Sequence, residues 1–409
     1  MNATPAVAPV VSSAHPLSNP NFRRLWIGFT ISLFGDQFYL VALPWLVLQI
    51  TGSGIALGTI LMLGAVPRAA FMLLGGVVTD QLSPRRILIA TATARMLLVA
   101  VTAVLIYLRL LQLWHLYCLA LIFGFADAFA MPAGQALIPG VVSQEQLPAA
   151  NALISGSAQG CSIAGPAPAG IVLRTFNAAV AFAIDAVSFF FVIVALVQLK
   201  EGPSTPARPR GGLWGLIIEG LRYVIHDPPM RALMLLVTVL NLGVAGPLTV
   251  GLAVLAKGRF GSAAMYGTLL SALAAGTLLG SLLPALLKQR RHRGAIVLAF
   301  STTVGLSMIA IGLLQHLIPI VMVLVTLGIG NGLTAVYVQS WFQGHIDRNF
   351  LGRVMSVFMF AAFGLLPFSY AIAGVLVQIK LPVMFIGAGG LVLMATFVAA
   401  INRQVRSID

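Results

Sequence analysis

Charged side chains are scarce in this chain of 409 residues, where Asp, Glu, Lys and Arg together make up 8%. A soluble chain of that length needs far more polar surface to cover two or three globular domains, so a soluble fold is excluded. Cysteine is nearly absent: only Cys118 and Cys161 occur, both inside apolar stretches, so neither a disulfide framework nor a thiolate metal site follows. There is no G-x-x-x-x-G-K-[ST] phosphate loop, no H-E-x-x-H pair and no Asp-rich pair, which argues against an ATP motor, a metalloprotease and a prenyl transferase. The six histidines (His15, His115, His226, His292, His316 and His345) fall in tails, loops or helix ends, so no enzyme constellation forms, and no cofactor or metal is expected.

What is present is apolar sequence, 59% of the residues, with a mean hydropathy of +1.00. It is arranged as twelve stretches near 24–50, 56–79, 86–108, 112–138, 150–173, 176–198, 230–256, 264–287, 294–315, 318–341, 351–378 and 381–402. About 20 residues of helix span the ~30 Å hydrocarbon core, and a bilayer tolerates only complete helices or closed barrels. The expected fold is an all-α integral membrane protein of twelve crossings, with the bilayer as its solvent. Residues 1–20 carry no charge and no apolar core of signal-peptide length, and are expected to form a disordered tail.

The net charge of +14 raises the question of nucleic acid. The basic residues, however, sit between apolar stretches rather than on one face, which is the pattern of topology-setting charge. Seventeen Lys and Arg fall on the side of the chain ends, against five (Arg109, Arg174, Lys257, Arg259 and Lys380) on the other. That bias puts both termini in the cytoplasm.

The longest polar interval is 200–229. Its segment Gly202 to Gly212 holds Pro203, Pro206 and Pro209 and cannot be helical. It divides the chain into bundles at 21–199 and 230–409. Just after it, Leu213, Leu216, Ile217, Leu221 and Val224 share one helical face, as expected of a helix lying on the membrane surface. The halves also align with each other at an offset of about 204 to 208, placing Asp80–Arg86 opposite Lys288–Arg293 and Phe123–Phe129 opposite Leu327–Leu333.

Five charges fall deep within crossings: Asp36, Arg68, Arg95, Asp127 and Asp185, all in the first half. Charge at such depth normally faces a cavity or an opposite charge. Asp36 lies 12 residues beyond Arg24, or ~18 Å along the helix, near mid-membrane. A carboxylate there answers to desolvation and to nearby Arg, as a proton-coupled carrier requires. The alternative is that Asp36, Asp127 and Asp185 form structural bridges with Arg68 and Arg95. The second half offers only neutral groups at that depth, notably Asn241, Asn331 and Gln339. In the fifth crossing, Gly156 to Gly170 is rich in small residues that permit close helix approach, and Pro166 and Pro168 distort the helix.

These residues carry a resemblance. The run Gly76-Val-Val-Thr-Asp80-Gln-Leu-Ser-Pro-Arg85-Arg86 resembles the signature loop of the major facilitator superfamily. The stretches Gly35 to Ser53, Pro67-Arg68, Pro132 to Leu153 and Gly352 to Ser356 are similar to its branch of macrolide efflux proteins and enterobactin exporters. The resemblance covers residues 20–402. It implies two six-helix bundles rocking about a central cavity lined by crossings 1, 4, 7 and 10, with Asp36, Asp127, Asn241 and Asn331 reachable from it. It further implies that Asp80 and Arg86 latch the cytoplasmic side, although Gln81, Ser83 and Pro84 depart from the family pattern and the loop at 288–293 has no acid. Gly156, Gly160, Gly165, Pro166 and Gly170 match the fifth-helix motif of proton-driven exporters, with Ala169 a departure.

The function that follows is export of an amphipathic small molecule by proton antiport, in a monomer that binds no nucleic acid. A lipid or lysolipid translocator of the same fold and a non-transporting receptor remain as alternatives.

Overall fold

The structure is a computed structural model that describes residues 15–199, 213–287, 293–346 and 350–401. Of the expected disordered tail 1–20, residues 1–14 lie outside the described residues, as do the Pro-rich stretch 202–212 and most of the basic loop 288–293. Residues 15–20 are ordered instead, as a 3-10 turn at Pro16–Ser18 and the capped start of the first helix, where the Asn19 side chain accepts from Asn21 N. Eleven helical stretches among the described residues are long and apolar enough to cross a bilayer. They include α1 (Pro20–Thr51), α2 (Gly54–Gln81), α3 (Pro84–Tyr107) and α4 (Leu113–Leu137).

The fifth crossing is split into α5 (Leu147–Ala164) and α6 (Pro166–Thr175). Pro166 has no N–H to donate and its ring crowds the preceding turn, so the helix restarts there. The sixth crossing is α7 (Ala178–Val197), followed by α8 (Leu213–His226). The seventh is irregular: α9 (Pro228–Gly246), a π-helical segment Pro247–Gly251, the single turn α10 (Leu252–Leu255) and a second π-helical segment Ala256–Phe260. The remainder are α11 (Ala263–Leu287), α12 (Arg293–Leu313), α13 (Leu317–His345), the broken pair α14 (Leu351–Phe363) and α15 (Leu366–Ile379), and α16 (Leu381–Ile401).

The two halves repeat one packing scheme. In the first, α2 packs on α4, and α7 on both α1 and α3; in the second, α11 packs on α13, and α16 on both α9 and α12. Crossings 2 and 4 thus pair as 8 and 10 do, and 1 and 6 as 7 and 12 do. Small residues permit the close approaches. A Cβ on Gly124 would come within 1.9 Å of the Gly64 carbonyl oxygen, and one on Gly280 within 2.1 Å of the Ile329 carbonyl oxygen. Large apolar side chains such as Leu97, Val101, Phe190, Phe191, Met322 and Phe397 are exposed on the outer faces, where lipid tails take the place of water.

The halves meet at the end remote from the chain termini. There Gly58 abuts the Tyr370 carbonyl and Gly374, Gly170 abuts Ala263, and Gly267 abuts Pro166. Lys257 Nζ donates to the Leu48 carbonyl at the end of α1, and Gln378 Nε2 donates to Ser53 Oγ at 3.1 Å. The buried apolar core is continuous across both halves at this end, but splits into separate clusters, one around Leu25 and Leu196 and another around Met230 and Phe342, at the terminal end. At the terminal end the two halves thus pack around separate cores.

Near the terminal end, Arg85 donates from Nε to Leu196 O at 2.6 Å and from Nη2 to Val197 O at 2.7 Å, capping the last turn of α7. A cation on orphan carbonyls at a helix C-terminus is well placed. Arg85 therefore ties the signature loop to its own half, Arg86 is exposed, and Asp80 stands in the last turn of α2 with its side chain outside the described residues. On α8, Val224 is buried against the second half and Tyr223 stacks on Phe350 at 5.2 Å, while Leu221 and Ile225 are exposed; the side chains of Leu213, Leu216 and Ile217 lie outside the described residues.

Candidate functional site

Five crossings bring the deep charges to one level. Asp127 on α4 lies between two arginines: Arg95 Nη2 on α3 pairs with its Oδ1, and Arg68 Nη1 on α2 approaches its Oδ2 at 3.7 Å. The Arg95 side chain is 14% exposed and that of Asp127 24%, so the pair is largely desolvated, whereas Arg68 at 36% reaches a wetter edge. Arg95 also lies over the faces of Phe123 at 5.0 Å and Phe189 at 5.9 Å, whose ring quadrupoles favour a cation. Arg68 lies 5.9 Å from the ring centroid of Phe363, which belongs to the other half.

Asp36 on α1 sits within coulombic reach of Arg95 but makes no ion pair among the described residues. Asp185 on α7 is fully buried. The Ser188 hydroxyl donates to the Asp185 carbonyl oxygen at 2.7 Å and lies 3.5 Å from Oδ1, while Oδ2 has no hydrogen-bond partner among the described residues. Gly35 makes room for this ledge, since a Cβ there would fall 2.1 Å from Ser188 Oγ.

Two cavities share this cluster. The larger, about 480 Å³, is lined by Asp36, Arg68, Arg95 and Asp127 and by apolar residues including Phe29, Leu33, Met131, Ile138, Phe189 and Val192. The smaller, about 280 Å³, has the same four charged residues, together with Gln37, Tyr39, Phe123 and Tyr370. The larger reaches toward the terminal end of the bundle, past Ile138 and Ile154; the smaller reaches toward the seam, past Leu43 and Ile60. The charged cluster is the partition between them.

The lining does not follow crossings 1, 4, 7 and 10. Every residue lining the larger cavity belongs to the first half, and the only second-half residue of the smaller is Tyr370. Asn241 donates its amide to Val237 O on its own helix at 3.0 Å, and Asn331 is exposed; neither lines these cavities. Within the fifth crossing, Gly165 packs on Gln37 and Gly170 on Ala263, while Gly156 and Gly160 have open space where a Cβ would stand. Gln159 crosses between the halves, donating to Ala274 O at 3.1 Å. Phe123 and Phe189 escaped the reading of the sequence, yet each lies four residues from a deep acid, Asp127 and Asp185 respectively, one helical turn away on the same face.

A sequence profile described as transmembrane secretion effector matches residues 11–409. The chain belongs to that family. Among its relatives, the multidrug efflux pump Tap of Mycolicibacterium fortuitum is 28% identical over 388 residues, 92% of this chain and 94% of the pump. The enterobactin exporter EntS of Salmonella typhi is 25% identical over 344 residues, covering 82% of this chain and 81% of the exporter. In architecture, this secretion-effector chain superposes on a crystal structure of a variant of the nucleoside transporter NupG with a TM-score of 0.77 at 12% identity, over 93% of this chain and 99% of that one. The fold is thus the major facilitator fold, in a multi-pass membrane protein.

Proposed function

We propose that this protein exports an amphipathic small molecule by alternating access, driven by an inward flow of protons that load and leave Asp36. The observation that carries the reading is the shared partition: one carboxylate, free of ion pairs among the described residues, lines both cavities at mid-membrane depth. Asp127 is already committed to two arginines, so its charge serves to hold the partition. Asp36 is left to exchange a proton with whichever side is wet. The larger cavity, apolar with a charged floor, suits a ligand with a greasy body and a polar group.

The basic bias supports cytoplasmic termini, which makes the present state open to the cytoplasm and sealed outside by the α2–α15 and α6–α11 seams. Residues 21–199 and 230–409 then move as two units about the 200–229 linker, within a monomer, with Asp80 and Arg86 contributing to the cytoplasmic latch when the cleft closes. Reporter fusions check the sidedness. A cytoplasmic reporter joined at Ser204 or after Asp409 is expected to be active, and alkaline phosphatase at either site silent.

The test of function is flux. Purified protein in proteoliposomes with an imposed pH gradient is expected to move at least one macrolide, catecholate siderophore or lysolipid against its gradient, with a matching proton flow in the opposite direction. Movement of only a lysolipid, insensitive to the pH gradient, would favour a lipid translocator instead.

A further inference from the structure

Within the eleventh crossing, Ser369 and Tyr370 sit between the charged cluster of the first half and the irregular seventh crossing of the second. Ser369 is 1% exposed. Its hydroxyl donates to Leu242 O at 2.6 Å and accepts from Gly246 N at 2.7 Å. In an uninterrupted helix those two backbone groups bond to each other. Here a hydroxyl from α15 stands between them, one of the recognised causes of a helix bend. Pro247 follows at once and removes a further donor, and the chain continues as π-helix through Gly251. Gly246 is required at this point, since a Cβ would lie 2.1 Å from the Ser369 carbonyl oxygen.

The next residue faces the other way. Tyr370 lines the smaller cavity, lies within electrostatic reach of Arg68 and is in hydrogen-bonding reach of Thr249 in the π-helical segment. Its carbonyl lies against Gly58 of α2. Farther along the same seventh crossing, Lys257 donates to Leu48 O across the outer seam. Arg68, Tyr370, Ser369, the π-helical stretch of the seventh crossing and Lys257 thus follow one another from the charged cluster to the outer seam.

We infer that Ser369 and Tyr370 are positioning residues that convert the charge state of the cluster into the bend of the seventh crossing, and so into the state of the outer seam. The inference rests on the proton-coupled reading above. The bistable element is the turn Leu242–Gly246, where the π-helical stretch begins: in one packing Ser369 bridges it and Lys257 reaches Leu48, and in the other Ser369 leaves the bridge and Lys257 is withdrawn. Around Arg68 the groups that set the input are Asp127, Arg95 and Asp36, with Asp185 and Tyr39 behind them, and Tyr370 is the group facing it from the second half. A change of proton load in the cluster moves Arg68 relative to Asp127, Tyr370 follows, and the neighbouring Ser369 hydroxyl leaves its bridge. Two discrete packings at one interface are what transmits such a shift.

The test uses the full chain in nanodiscs, with Cys118 and Cys161 replaced by serine and spin labels on cysteines introduced at Tyr107 and Ile379. Both positions are exposed at the outer end of opposite halves. In the reference protein, the populations of short and long label distances are expected to shift between neutral and acidic pH. Ser369→Ala is expected to favour the long, outer-open distance about fivefold at fixed pH, as loss of one internal hydrogen bond allows. Tyr370→Phe is expected to fold normally and to lose the pH response. Unchanged populations in Ser369→Ala together with a normal pH response in Tyr370→Phe would overturn the inference, and so would a lowered melting temperature with no population change, which marks a merely structural serine. If Ser369→Ala does not fold, Tyr370→Phe alone decides. The two readings separate cleanly: a pH response that survives Asp36→Asn counts against proton coupling, whereas one lost in Asp36→Asn but intact in both α15 variants counts against the coupling line alone.

Discussion

Asp127→Asn is expected to lower stability by about 2 kcal/mol, a value reduced from the 3–5 typical of breaking a fully buried pair because Arg68 and Asp127 keep some solvent contact. The reason is what the substitution leaves behind. Arg95 loses its closest carboxylate while staying almost entirely out of water, and Arg68 then faces it as a like charge. The aromatic faces of Phe123 and Phe189 offset only part of that loss. Removing the uncompensated cation relieves it, so Asp127→Asn combined with Arg95→Gln is expected to regain most of the lost stability. Thermal unfolding in detergent of the two single variants and the double variant measures this directly. If Asp127→Asn unfolds at the wild-type temperature, Asp127 is not the anchor of the partition and the division of roles between the two acids is wrong.

The positions of the crossings were legible in the sequence because a bilayer imposes both length and apolarity, and α1 to α4 fall where the hydropathy places them. The break in the fifth crossing was legible for a similar reason, since Pro166 states its own effect on the backbone. Depth of charge was also legible: Asp36, Arg68, Arg95, Asp127 and Asp185 stand out against apolar neighbours, and the structure gathers them at one level.

Which acid takes the arginines was not legible. Asp36 and Asp127 have matching depth, and only the rotation of α1 and α4 about their axes turns Asp127 toward both Arg68 and Arg95. Asn241 and Asn331 line neither of the two cavities. A neutral amide can satisfy itself on its own helix, as Asn241 does on Val237 O, and so carries no obligation to face a cavity. Ser369 was invisible because a single hydroxyl in an apolar helix normally bonds four residues back, as Thr396 does; its role at the 242–246 break exists only in three dimensions.

Asp36→Asn is expected to give the opposite pattern from Asp127→Asn. Asp36 makes no ion pair among the described residues, so the amide strands no cation and melting should stay near the wild-type temperature. An amide cannot alternate between charged and neutral forms, so the link between proton movement and the choice of open side is cut. The larger cavity keeps its apolar walls and the Arg68–Asp127–Arg95 partition, so a ligand still binds and still crosses down its own gradient. The most direct measurement is therefore paired flux in proteoliposomes, with the macrolide, siderophore or lysolipid that the wild type moves: uphill export under an imposed pH gradient, and downhill exchange without one. Wild-type protein is expected to do both, and Asp36→Asn to exchange downhill at a comparable rate while uphill export falls to the level of empty liposomes. Uphill export by Asp36→Asn at the wild-type rate would contradict proton coupling through this site.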